Sequence, residues 1–298
     1  MKQSAAVVTA AAVVGLLTRA PAFSAPAQKP TFRTGVDLVK LDVSVLRGGQ
    51  PVRGLAKDDF VIDDSGVRQV VDSVTEGQDL PVNVLIALDV SGSVSGDKLA
   101  NLVDAGRQLN ASLRPDDRAA LVTFSSVVQV RVPLTSDRAE FANALGTLRG
   151  EGPTAVRDAV WAALQLKPDD DSRTMVLVFT DGVDNASFLG PNDLIPAARR
   201  MGIVVHAVEL GPALNYRSQA RSFLGVLADV TGGRQWNATS SRDLHSLFTT
   251  AIDEMRARYV VTFYPNGVKR NGWHELKVGV RARGEVKTRP GYFVGAPE

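Results

Sequence analysis

The stretch Val82-Asn83-Val84-Leu85-Ile86-Ala87-Leu88-Asp89-Val90-Ser91-Gly92-Ser93 decides how this chain folds. Its first seven residues form a short, Val/Leu/Ile-rich run after Pro81, which predicts a parallel-sheet strand buried on both faces. Asp89, Ser91 and Ser93 leave the end of that strand together, at the edge where open α/β sheets place ligands. A turning backbone can aim all three at one centre, offering hard oxygen donors with a single formal charge. Such donors select Mg²⁺, Mn²⁺ or Ca²⁺. Ser and Gly after a strand also serve ordinary turn and helix-start chemistry, so the pentapeptide alone leaves both readings open.

Further along, a second strand-like run from Met175 to Phe179 ends in Thr180-Asp181-Gly182. Between the two runs, Gly152-Pro153-Thr154 opens a helix, so Thr154 and Asp181 add two oxygen donors at loop positions. From Val82 onward strands and helices alternate, which predicts βαβ crossovers. Strands are expected at Ala119 to Phe124, Val127 to Val132, Met175 to Phe179 and Ile203 to Val208, with a weaker one at Arg234 to Trp236. Apolar stripes at helical spacing separate them: Leu99, Leu102, Val103, Gly106 and Leu109 on the first helix, and Val156, Ala159, Val160, Ala163 and Leu164 on a later one.

Asp89, Ser91, Ser93, Thr154 and Asp181, each in its strand-loop context, resemble the metal-ion-dependent adhesion site of the von Willebrand factor A family. The resemblance extends over residues 81 to about 255, including Leu227-Ala228-Asp229-Val230-Thr231-Gly232-Gly233 at the last helix-to-strand turn. With its flanking segments the chain looks most like secreted bacterial proteins of an acidobacterial type. The resemblance implies an α/β fold, Rossmann-like and doubly wound, with a mostly parallel six-stranded sheet flanked by helices. It further implies that the five residues hold one divalent cation, Mg²⁺ by first expectation and Mn²⁺ or Ca²⁺ as alternatives. One coordination position would remain for an Asp or Glu carboxylate of a protein or peptide partner. Nearby Asp97 and Asp158 are expected at helix starts and solvated surface, and Asp184 in loop chemistry beside Asp181.

The flanks have a different rhythm. Val39, Leu41, Val43 and Val45 alternate with polar residues, and Phe60 to Ile62 and Val67 to Val74 continue the period of two around the turn Asp63-Asp64-Ser65-Gly66. After Arg258, β-like runs return at Tyr259 to Tyr264 and Trp273 to Val280. The last segment is rich in Lys and Arg and the first in Asp and Glu, so their charges favour a meeting. The expected organisation is a leader over 1–27, a β segment over 28–80, the metal-site domain over 81–255, and a β segment over 256–298 that pairs with 36–78 into a small antiparallel module. Neither β segment is large enough to fold alone.

Composition narrows the function. The chain has 298 residues, 44% of them hydrophobic, enough for a substantial core, and a formal net charge of +2. Lys2, the Ala/Val/Leu run from Ala5 to Leu17, and the small residues before Ala22, Ala25 and Ala27 form a secretory signal pattern, implying a secreted or periplasmic protein without a spanning helix. Lys2 and Arg19 account for the whole positive excess, so no nucleic-acid partner is expected. The chain has no cysteine, which excludes disulfides and thiol chemistry. His206, His245 and His274 lack ligand-like spacing, and Trp161, Trp236 and Trp273 lie in apolar patterns as core residues. No nucleophile elbow, Walker loop or dinucleotide fingerprint occurs. The expectation is a non-enzymatic, metal-dependent adhesion or assembly module; the alternatives are a metal-assisted hydrolase and a scaffold that binds no metal.

Overall fold

A computed structural model describes residues 38–210 and 222–295. The expected leader and the segment from Pro212 to Arg217 lie outside the described residues. The chain begins with β1 (Val39–Arg47), β2 (Gln50–Pro51), β3 (Phe60–Asp64), β4 (Val67–Gln69) and β5 (Val71–Glu76). An alternating region follows: β6 (Val82–Asp89), α1 (Asp97–Ser112), β7 (Arg118–Phe124), β8 (Val128–Thr135), α2 (Arg138–Leu145), α3 (Val156–Gln165) and β9 (Arg173–Thr180). It continues through α4 (Pro191–Met201), β10 (Val204–Leu210), α5 (Phe223–Thr231), β11 (Gln235–Ala238) and α6 (Leu244–Ala257). The chain closes with β12 (Tyr259–Phe263), β13 (Gly272–Val280), β14 (Glu285–Lys287) and β15 (Gly291–Val294).

One sheet runs in the order β11-β10-β9-β6-β7-β8. Its neighbours are parallel except β7 and β8, which form an antiparallel hairpin closed by a Ser125 N–H bond to the Val127 carbonyl. The sheet is therefore mixed. Every residue of β6 and β9 is buried, and the reason is visible in the packing. Val84, Ile86 and Leu88 meet Leu102 and Leu109 of α1, Phe141 of α2 and Phe248 of α6 on one face. Leu85 and Ala87 meet Val156, Val160 and Leu164 of α3, Leu194 of α4 and Leu227 of α5 on the other. Successive side chains of a strand point to opposite faces, so covering both faces requires an unbroken apolar run. Each large aliphatic side chain so buried contributes about 1.5–3 kcal/mol.

The α1 stripe differs from its expected composition. Leu102, Ala105, Gly106, Leu109 and Asn110 are buried, and Leu99 and Val103 only border the core. Asn110 is tolerated there because its Nδ2 donates to the Arg138 carbonyl at 2.9 Å. Trp161 is a correction of another kind: at 38% exposure it faces outward from α3 and is not a core residue.

The two ends of the chain interleave. One antiparallel sheet has the order β14-β1-β12-β5, with β2 on β1, and a second has the order β15-β13-β3-β4. Val39, Leu41, Val43, Phe60, Ile62, Val261, Phe263, Leu276 and Tyr292 form one core between them. β3 and β4 join through Ser65 and Gly66, both at positive φ (51° and 89°), the geometry of a tight two-residue hairpin. Charge attraction is not what brings the ends together. His274 Nδ1 meets Asp64 Oδ1 at 2.9 Å between the two end segments, and the ladders and apolar core join them along their length. Surface charges separated by solvent contribute little.

Arg173 at the start of β9 fastens this module to the central sheet. Its guanidinium, 2% exposed, donates to Asp42 Oδ1 at 2.8 Å and to the carbonyls of Gly77 and Met255 at 2.9 and 2.7 Å.

Candidate metal centre

From β6 the chain moves to β7 on one side, and from β9 it moves to β10 on the other, so the crevice beyond the β6 and β9 carboxyl ends is the point where strand order reverses. The register pairs Leu88 with Phe179, which sets Asp89 across from Thr180 and brings Asp181 into the same crevice.

Asp89 is fully buried. Its Oδ1 accepts the Ser91 N–H at 2.8 Å and its Oδ2 accepts the Thr180 hydroxyl at 2.6 Å. Burial pushes its carboxyl above the ordinary range, against the lowering effect of the Ser91 and Thr180 donors, and the nearby Asp181 charge adds to the rise. Ser91 and Ser93 turn toward each other, with hydroxyls 3.1 Å apart, and Ser93 Oγ donates to Asp181 Oδ1 at 2.5 Å. Thr154 is buried, and a methyl group placed on Gly182 would lie 3.4 Å from Thr154 Oγ1 and 3.9 Å from Ser93 Oγ. The serine loop, Thr154 and Asp181 thus surround one small volume.

The loops that carry these residues are knitted by backbone. Gly92 N–H bonds the Gly152 carbonyl and Glu151 N–H bonds the Val90 carbonyl. At Gly150 a side chain would fall 2.0 Å from the Val94 carbonyl, so only glycine allows the two loops to approach this closely. The loop after β9 is pinned in turn. Thr154 N–H donates to Asn185 Oδ1 at 2.8 Å, and Asp158 accepts the N–H groups of Phe188 and Leu189 at 2.9 and 3.0 Å. Asp184 bonds Arg157 N–H and the Ser187 hydroxyl and pairs with the Arg157 guanidinium at 3.3 Å. Asp158 and Asp184 are therefore loop anchors, and Asp184 works through α3 instead of beside Asp181.

Two partners escape a reading of the motif. Thr180 directly precedes Asp181, yet its hydroxyl serves Asp89. Lys98 Nζ lies 2.6 Å from Asp181 Oδ2 and donates also to the Ser93 carbonyl at 3.3 Å. A sequence signal for Lys98 exists: a cation in the first turn of a helix opposes the helix dipole, so it calls for a local anion.

No cluster of three or more His, Cys, Asp or Glu side chains able to hold a metal occurs among the described residues. His206 and His274 are buried against Glu254 and Asp64, and His245 is exposed. Nor is any helix among the described residues long and apolar enough to cross a membrane.

Residues 84–183 match the sequence model of the von Willebrand factor type A domain, a span that includes all five candidate residues. An uncharacterized protein of Synechocystis sp. is 28% identical over 144 residues, covering 46% of this chain and 34% of that protein. The chain thus spans about a third of this relative's length. Among solved structures, a von Willebrand factor type A protein from Catenulispora acidiphila aligns over 84% of this chain and 75% of its own, at 16% identity and a TM-score of 0.51. Proximal thread matrix protein 1 from the mussel byssus, with a zinc-occupied adhesion motif, aligns over 64% of this chain and 49% of its own, at 18% identity and a TM-score of 0.53. These structural likenesses bear on the fold alone, and the sequence match likens residues 84–183 to a von Willebrand factor type A domain.

Proposed function

We propose that this protein is a metal-dependent protein-binding module without catalytic activity, in which Asp89, Ser91, Ser93, Thr154 and Asp181 hold one divalent cation. The observation that carries the reading is the convergence of Ser93 Oγ, Thr154 Oγ1 and Asp181 at the switch point of the sheet. The donors suit such an ion: two carboxylates and three hydroxyls, all hard oxygens. A cation held there would supply a positive centre with few anionic ligands. An Asp or Glu of a partner completes it.

Two further features support a protein partner. Val183 (74% exposed) and Phe188 (97% exposed) sit on the loop that follows Asp181 and is anchored by Asp158 and Asp184. An exposed aromatic on a tied-down loop offers contact area with little ordering cost. Asp89 is fully buried with each oxygen bonded, which does not suit a hydrolytic nucleophile. The leader pattern supports export, to the periplasm or beyond the cell.

Melting of the mature chain in EDTA, Mg²⁺, Mn²⁺, Ca²⁺ and Zn²⁺ tests the reading. Binding at 100 times the dissociation constant adds about 2.7 kcal/mol, a shift of roughly 5 to 10 °C at about 2 to 4 °C per kcal/mol for a chain of this size. Asp181→Ala is expected to lose the shift and keep its fold. A metal shift that persists in this variant would refute the assignment.

A further inference from the structure

We propose that Lys98 is a built-in counter-ion of the metal centre: its ammonium occupies the cation's place against Asp181 in the empty site and is displaced when the site loads. The inference rests on the metal-binding reading above, to which it adds an exchange step.

Four observations carry it. The Asp181 side chain is 1% exposed, and Lys98 Nζ sits 2.6 Å from its Oδ2. A buried carboxylate without a cationic partner is costly, so the empty centre needs a cation from somewhere. The other oxygen, Oδ1, accepts the Ser93 hydroxyl, and Lys98 also reaches the Ser93 carbonyl. The ammonium thus bridges Asp181 and the backbone of Ser93. Lys98 is the second residue of α1, where the helix dipole opposes it; its position serves the site and not the helix. Its side chain is 45% exposed, and its flexible stem allows the charge to move into water without unfolding anything.

A divalent cation and the ammonium compete for the same carboxylate. Loading is then an exchange in which Asp181 trades one cationic partner for another, and the empty protein keeps its fold because Lys98 neutralises the carboxylate. The consequence has a sign that a merely structural lysine would not give. Removing Lys98 should weaken the empty protein and tighten the metal.

The test uses the mature full chain as wild type, Lys98→Met, Lys98→Gln and Lys98→Arg, with Mn²⁺ and Mg²⁺ titrated by calorimetry. Hydrogen bonds to charged groups of this kind correspond to about tenfold in an equilibrium constant, so Lys98→Met or Lys98→Gln should bind Mn²⁺ about tenfold more tightly. Lys98→Arg, which keeps the charge, should stay near wild type. In EDTA the neutral variants should melt below wild type, and saturating Mn²⁺ should close that gap. A second readout follows the amine itself: acetylation of Lys98, quantified by mass spectrometry, should be slow in EDTA, faster in Mg²⁺, and fast throughout in Asp181→Asn. Equal or weaker Mn²⁺ binding by both neutral variants, or labelling of Lys98 that ignores the metal, overturns the counter-ion role and leaves the metal centre standing. Absence of Mn²⁺ and Mg²⁺ binding in wild type and variants alike overturns both.

Discussion

Asp89 is held as a buried carboxylate at a cost. Its two donors, Ser91 N–H and the Thr180 hydroxyl, satisfy its oxygens, but burial still pushes its carboxyl upward, so the charged form is disfavoured by its surroundings. Replacing it by the neutral isostere tests that balance. In Asp89→Asn the Thr180 hydroxyl can turn to accept from the new amide and donate to the Gly182 carbonyl, already 3.3 Å away. The variant is expected to be more stable than wild type by about 1 kcal/mol in EDTA at pH 7, the scale typical of relieving a functional site, while losing its response to metal. Urea melts read the difference, and a variant less stable than wild type would contradict it. The five candidate residues are singled out in sequence by where they stand: Asp89, Ser91 and Ser93 share one turn, and Asp181 directly follows a recognisable strand. Thr180 is not, and Lys98 shows only as a cation misplaced in a first helical turn, because their partners are 91 and 83 residues away in the chain.

At the scale of the element, alternation of apolar runs and helical stripes makes the central sheet readable, and the period of two identifies β1 and β3. What it leaves out is direction: β8 reads like any other strand, and only the short Ser125 to Val127 turn makes it antiparallel. The loop from Asp181 to Gly190 shows the same limit. Its composition is ordinary, and its order comes from Asp158 and Asp184 reaching across from α3 or along the loop. Asp158→Ala removes the acceptor for two adjacent amides, Phe188 and Leu189. Loops held by few bonds open without global unfolding, so hydrogen exchange at these amides should accelerate at least about tenfold, one lost bond being worth roughly 1 kcal/mol or more. Global stability should fall by no more than about 1 kcal/mol, the usual effect of a single surface change. Unchanged protection at these two amides would show that the loop is held elsewhere.

The whole molecule is joined by charge buried where its layers meet. Glu254 of α6 faces Arg258 at 2.8 Å, His206 of β10 at 3.0 Å and Arg234 at 3.6 Å, and Arg234 reaches on to Glu285 of β14 at 3.4 Å. His206 Nδ1 accepts the Arg234 N–H, so the neutral ring carries its proton on Nε2, toward Glu254. Burial raises the Glu254 carboxyl, but Arg258 and then His206 outweigh it and hold it well below the usual range. Burial lowers the His206 imidazole, against the pull of Glu254. Both depressed values act in the same direction. Below the ordinary histidine value of 6.5 the unfolded chain takes up a proton that buried His206 refuses, and below the ordinary glutamate value of 4.5 it takes up another that Glu254 refuses. Each uptake favours the unfolded chain, so stability is complete above about pH 6.5 and falls in two stages as acid is added. Glu254→Gln leaves Arg258 buried without its counter-charge, which should cost about 3–5 kcal/mol at pH 7 and flatten the lower stage, since the titrating carboxyl is gone. Chemical denaturation from pH 8 to pH 3 separates these outcomes. A variant that keeps the wild-type slope below pH 4.5 would assign the acid sensitivity to other carboxylates, whereas a shallower slope would identify this cluster as the acid-sensitive joint between the central sheet and the module built from the chain's two ends.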